Sequence, residues 1–333
     1  MEMKNNNEEI LHINNLVVEY SSGKEKVHAV NDVSFGLGGG ETLGLVGETG
    51  AGKTTIAKSI LRILPDMSAK IQSGEIIFNG ENLLELSEHQ MGRVRGNYIS
   101  MIFQDPMTAL NPIMRVGNQI ADGIKIHQNV TKAEARKQAE EMLEMVGIPR
   151  ERYGDYPHQF SGGMKQRIVI AIALACHPKL LIADEPTSAL DVTIQAQIME
   201  MIKKLQNESG TAMILITHDL GIVAENCDRV AVVYAGQIVE YGTKRDIFKR
   251  TAHPYTMGLF KALPNMNEDT ERLMPISGQP VDPTKLPQGC SFHPRCQYAT
   301  EKCRTQAVPL IETEDGHLCR CHYCRENLDR FHH

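Results

Sequence analysis

Eight consecutive residues constrain this chain more than any other feature: Gly47, Glu48, Thr49, Gly50, Ala51, Gly52, Lys53 and Thr54. They satisfy G-x-x-x-x-G-K-[ST] in full. The apolar run Leu43 to Val46 precedes them, and a helical run from Thr54 to just before Pro65, including Thr55, follows. Glycine permits the tight wrapping that turns successive N–H groups toward phosphate oxygens at the positive end of a helix. Lys53 can reach the β and γ phosphates, and Thr54 offers a hydroxyl to Mg²⁺. A strand, a loop and a helix in this order predict an α/β core. The motif leaves kinases, GTPases, helicases and transporter ATPases open.

Two further segments narrow the choice. Leu180 to Ala183 is an apolar strand that ends in Asp184 and Glu185. Successive strand residues point in opposite directions, so two acids at one strand end can take different tasks. Asp184 would hold Mg²⁺ and Glu185 would orient an attacking water; the alternative is that the pair caps the next helix or forms ion pairs. Phe160 to Arg167 opens a helix with Ser161, Gly162 and Gly163, a hydroxyl, two flexible residues and free helix N–H groups. One chain therefore carries two anion-binding devices, although one nucleotide in one subunit needs a single one.

The rest of the pattern places these motifs. Leu16 to Tyr20 and Val27 to Leu37 read as an antiparallel strand pair, and a second pair surrounds the turn at Asn79 and Gly80. Residues 104 to 161 have helical character. Thr131 and Glu134 have capping spacing, and Ala135, Ala139, Met142, Leu143 and Val146 share one face. Strand candidates Leu180 to Ala183, Ala212 to Ile216 and Val230 to Tyr234 alternate with helices at Met164 to Cys176 and Thr193 to Gln206, as in a largely parallel sheet. Prolines accumulate after residue 253 and mark a loop-rich extension.

In order and at these spacings, the motifs resemble the nucleotide-binding subunit of ATP-binding cassette (ABC) transporters over residues 10 to 250. The resemblance implies a P-loop NTPase core with an N-terminal antiparallel β subdomain and a helical insertion at about 105–175, together spanning 1–252. A small cysteine domain at 253–333 follows. It implies ATP as substrate, with Tyr20 stacking on adenine and Gly47 to Thr55 binding the phosphates. Mg²⁺ would be held by Thr54, Gln104 of the Q-loop and Asp184, and catalysis would fall to Glu185 and the switch residue His218. Ser188 and Asp191 match the D-loop. Ser161, Gly162 and Gly163 match the signature that acts on a partner subunit's ATP; Met164 stands where the wider superfamily has glutamine.

Phe103 to Pro112 and His253 to Thr256 resemble the dipeptide, oligopeptide and nickel importer branch. That resemblance implies a second ATPase subunit, in a heterodimer with a homodimer as the alternative. It also implies two transmembrane permease subunits, an extracytoplasmic solute-binding protein and a peripheral place at the cytoplasmic face of the membrane. Soluble relatives acting in translation or DNA repair, and a metal- or redox-sensing ATPase, are the competing classes.

Composition bears on those alternatives. With 35 basic against 41 acidic residues and no basic stripe, no nucleic-acid partner is expected. The longest apolar run, Ile168 to Cys176, is about half of the roughly 20 residues that a spanning helix needs, and the polar, acidic start is unlike a signal peptide. Cysteine is the uneven residue, since Cys290, Cys296, Cys303, Cys319, Cys321 and Cys324 are crowded into the tail. In a reducing compartment such thiols read as ligands before disulfides, and four suit Zn²⁺ or a [4Fe–4S] cluster. The importer resemblance selects Cys290, Cys296, Cys303 and Cys321, the last because it precedes His322, with Cys319 as an alternative, and favours [4Fe–4S] over zinc.

Overall fold

A computed structural model describes residues 9–23, 25–187, 191–262, 276–314 and 316–326. In chain order its strands are β1 (Glu9–Ser22), β2 (Glu25–Gly38), β3 (Thr42–Val46), β4 (Ala69–Phe78), β5 (Glu81–Asn82) and β6 (Ile99–Ile102). They continue with β7 (Leu180–Asp184), β8 (Ala212–Ile216), β9 (Arg229–Tyr234), β10 (Gln237–Thr243), β11 (Ile311–Glu314) and β12 (His317–Cys319). The residues form two compact units, one drawn from Met1–Ile10, Leu37–Thr42 and Glu85–Thr217, the other from Leu11–Gly36, Leu43–Leu84 and His218–His333.

The second unit holds two sheets. In the first, ordered β2-β1-β4-β5, β1 runs antiparallel to β4 with Leu11 opposite Phe78. Leu11, Ile13, Leu16 and Val18 are all fully buried, so the inward phase slips by one residue between Ile13 and Leu16. A register shift between Asn14 and Val17, with Asn15 in the left-handed region at φ 46°, absorbs that slip. Without it, every later side chain of β1 would turn to the wrong face.

The other sheet follows the order β11-β12-β10-β9-β3 in this unit. Strand β3 lies parallel to β9, whereas β9 and β10 form an antiparallel hairpin about Ala235 and Gly236, both at positive φ. The tail then returns to this sheet, because β12 pairs antiparallel with β10 and β11 with β12. Glu240 in β10 is fully buried. Its carboxylate accepts the N–H groups of Ala252 (2.7 Å) and His253 (3.0 Å) and pairs with His317 Nε2 at 2.9 Å. One side chain therefore ties the start and the end of the extension to the sheet.

In the first unit, β6, β7 and β8 are parallel, with β7 between the other two and every residue of β7 and β8 buried. The stretch between β6 and β7 is helical as predicted, at Pro106–Ala109, Val116–His127 and Lys132–Met145. Thr131 Oγ1 caps the last of these by accepting from Glu134 N, and Ala135, Ala139, Met142 and Leu143 are its buried face. The helix Gly162–Leu174 carries the longest apolar run and is buried over most of its residues. It is apolar on most sides because protein surrounds it. Among the described residues, no helix is long and apolar enough to cross a membrane.

Candidate functional site

The glycine-rich loop lies between β3 and the helix Lys53–Ile60, in the second unit. Two of its glycines are sterically required. A Cβ on Gly47, at φ 149°, would stand 2.1 Å from the carbonyl oxygen of Val233, and one on Gly52, at φ 107°, 2.3 Å from that of Ala29. Strand β9 and the first half of β2 thus press the loop into its curve. Lys53 is 7% exposed, and its ammonium donates to the carbonyl oxygens of Gly47 (2.7 Å) and Glu48 (2.9 Å), inside the loop that it serves. Tyr20 stands in the same unit, its hydroxyl 3.3 Å from Thr55 Oγ1. His218 is exposed, just ahead of the helix Leu220–Asn226, which Asp219 caps by accepting from the N–H groups of Gly221 and Ile222.

The carboxylate edge belongs to the first unit. Asp184 ends β7 at 3% exposure. Glu185 follows with φ 47°, a left-handed conformation that costs a side-chain-bearing residue about 1 kcal/mol or more. Its N–H bonds to the carbonyl of Ile216 at 2.8 Å, and Gln104 Nε2 donates to its carboxylate at 2.9 Å. The fold therefore joins two residues that are 81 apart in sequence, and it aims the Glu185 side chain by straining its backbone. Ser161 caps the helix Gly162–Leu174 by accepting from Met164 N, and Ser161 and Gly162 are exposed. Gly163 leaves little room for more, since a Cβ there would meet Ile194 Cγ2 at 3.1 Å. Asp191 caps the helix Val192–Ser209 through Ile194 N. Ser188 lies outside the described residues.

The family pattern described as "ABC transporter" matches residues 30–188, and the one described as "Oligopeptide/dipeptide transporter, C-terminal region" matches residues 239–303. The chain is 49% identical over 314 residues to the oligopeptide transport ATP-binding protein OppD of Escherichia coli, covering 94% of this chain and 92% of that one. The chain belongs to the ABC transporter family, in its oligopeptide and dipeptide branch. This ABC ATPase is also 48% identical to the dipeptide transport ATP-binding protein DppD of Bacillus subtilis, over 94% of each chain. Its fold is similar to a dimeric ABC cassette, MJ0796, in a post-hydrolysis state bound to ADP and Pi. The TM-score is 0.64 at 27% identity, over 71% of this chain and 99% of that one. The match at residues 239–303 separates the ATPase from soluble relatives that act in translation or DNA repair.

Sequence reasoning passed over two residues of the ATPase that touch the phosphate loop. Tyr255 Oη accepts the Glu48 N–H at 2.9 Å, and Arg295 grips the Glu48 carboxylate with Nη1 at 2.7 Å and Nη2 at 3.0 Å. Both sit in segments that mark the importer branch, at His253 to Thr256 and Cys290 to Cys296. Only their distance along the chain hid the contact.

None of the tail thiols is paired in a disulfide, and Cys319, Cys321 and Cys324 pack together beside Ala252. Cys319 and Cys324, each fully buried, share a hydrogen bond donated by Cys319; burial raises the Cys319 thiol, and that bond lowers Cys324. Burial pushes Cys290 up to about 11 and Cys321 to about 12. Smaller contributions come from neighbouring thiols: Cys303 and Cys296 act on Cys290, Cys303 acts on Cys296, and Cys290 and Cys324 act on Cys321. Among the described residues, however, no group of three or more His, Cys, Asp or Glu side chains is gathered where it could hold a metal ion. The geometry lends no support to the iron–sulfur or zinc expectation.

Proposed function

We propose that the chain is the motor subunit of an importer for peptides or a related solute such as nickel. The ATPase would act with a second ATPase subunit, two membrane permeases and an extracytoplasmic solute-binding protein, at the cytoplasmic face of the membrane. Support comes from the names of its relatives and from the two family matches, at residues 30–188 and 239–303. In this reading the cassette occupies 1–252, with a helical subdomain at about 105–175, and 253–333 is the extension.

The observation that carries the residue roles is the hydrogen bond from Gln104 to Glu185 at the end of a fully buried strand. It orients a carboxylate that can take a proton from, and align, the attacking water. Lys53 and the loop N–H groups from Gly47 to Thr55 would hold the phosphates, and Tyr20 the adenine. His218 would contact the γ-phosphate. Ser161, Gly162 and Gly163 would complete a partner's nucleotide site from an exposed helix start, and Ser188 and Asp191 would serve as the D-loop. Thr54, Gln104 and Asp184 are oxygen donors suited to Mg²⁺, which when bound neutralises developing charge on the phosphates. Glu185→Gln in the assembled transporter is expected to leave ATP binding intact and to lower turnover about 10²-fold or more. Unchanged turnover would remove Glu185 from this role.

The thiols Cys290, Cys296, Cys303 and Cys321 would be the ligands of a [4Fe–4S] cluster. The influence of Cys290 on Cys321 supports the choice of Cys321, which also packs with Cys319 and Cys324, while Cys319 shares its hydrogen bond with Cys324. Zn²⁺ on the same thiols is the alternative, and among the described residues no gathered ligand group favours one over the other. Iron and acid-labile sulfide after anaerobic purification test the assignment; zinc without sulfide would overturn it.

A further inference from the structure

We propose that Arg295, in the cysteine-rich extension, is a positioning residue for the phosphate-binding loop, acting through Glu48. The inference rests on the ATPase activity and on contacts within one compact unit. Glu48 is held at three polar groups. Its N–H goes to Tyr255 Oη, its carbonyl receives the Lys53 ammonium and the Ala51 N–H (3.1 Å), and its carboxylate receives the two-pronged grip of Arg295. Of these four anchoring residues, Tyr255 and Arg295 come from beyond residue 253.

Nucleotide binding changes the count. Lys53 now donates to the carbonyls of Gly47 and Glu48, and to reach β and γ phosphates its ammonium must turn away from them. From then on, the Ala51 N–H holds Glu48 from within the loop, and the hold from outside the loop is left to Tyr255 and Arg295. Arg295 suits that task because it has little freedom of its own. Its side chain is 4% exposed, Nε donates to the carbonyl of Ser277 and Nη2 also to that of Ile276, and the guanidinium lies 5.8 Å from the Tyr234 ring centroid and 6.0 Å from that of Phe292. A planar fork fixed in this way imposes both position and orientation on a carboxylate, which a lysine cannot do. Arg295 is also the residue directly before Cys296, so the folding of the cysteine loop and the shape of the phosphate loop are linked through one side chain.

The test is a double-mutant cycle on the ATPase in its assembled transporter, read as ATP KM and kcat, with iron content and thermal stability measured for every variant. Arg295→Ala is expected to raise the KM for ATP about ten-fold with little change in kcat, the signature of a loop that is less prepared for nucleotide. Arg295→Lys should fall between that variant and the unaltered protein, and Glu48→Gln should resemble Arg295→Ala. The double variant should be no worse than the poorer single one, because both break the same link. Unchanged KM in folded single variants, or penalties that multiply in the double variant, would overturn the proposal. Should Arg295→Ala fail to fold, the cycle of Arg295→Lys with Glu48→Gln distinguishes a shared link from two independent effects in the same way. An unaltered complex that did not hydrolyse ATP would instead count against the functional reading itself.

Discussion

Replacing Glu240 by alanine should unfasten the extension. The carboxylate is fully buried and serves the N–H groups of Ala252 and His253 together with His317 Nε2. Each buried donor deprived of a charged acceptor costs about 1–3 kcal/mol, so three of them set a penalty of roughly 3–9 kcal/mol, reduced to the extent that water enters. Glu240→Gln keeps one acceptor oxygen and nearly the same volume, and should lose about half as much. Urea unfolding followed by circular dichroism and by tyrosine fluorescence reads both variants; the chain has 9 tyrosines and no tryptophan to compete with them. Loss of the extension ahead of the rest should separate the two transitions in Glu240→Ala. A Glu240→Ala protein within about 1 kcal/mol of the unaltered one would refute the role given to this carboxylate.

Two other outcomes follow from the same packing. Gly47→Ala places a methyl group 2.1 Å from the Val233 carbonyl oxygen in a backbone conformation that alanine resists, so nucleotide titration should show binding lost and the melting temperature lowered. Acid should weaken the fold through His253, whose burial lowers its pKa to about 3 and whose Nδ1 accepts from Tyr255 N. The unfolded chain binds a proton near pH 6.5 and the folded one does not. The native state therefore loses ground by up to a few kcal/mol as pH falls from about 6.5 toward 3, and His253→Asn should flatten that part of the stability profile.

Much of the candidate site was legible because its signals are local. The loop from Gly47 to Thr54, the strand ending in Asp184 and Glu185, and the cap at Thr131 each spend their information within a few residues, where backbone geometry and side-chain chemistry act directly. The less legible parts depend on distant partners. Strand β10 carries Glu240 at its centre, a residue that reads as exposed until Ala252, His253 and His317 are brought to it. The inward phase of β1 breaks at Asn15, which a strict alternation cannot anticipate. Arg295 and Glu48 lie 247 residues apart, and no pattern along the chain announces a contact at that separation. The left-handed turn at Glu185 is likewise invisible in a residue type that seldom adopts it.

The pairing of β12 with β10 also sets a schedule for synthesis. Strand β10 ends at Thr243 and β12 begins at His317, so 74 further residues must be made before its partner exists. At roughly 5–20 residues per second, one edge of β10 waits about 4–15 seconds with its N–H and C=O groups unpaired. Open edges of this kind recruit strands from other chains. A nascent chain that stalls within that window would be more prone to aggregation than one stalled just before or just after it.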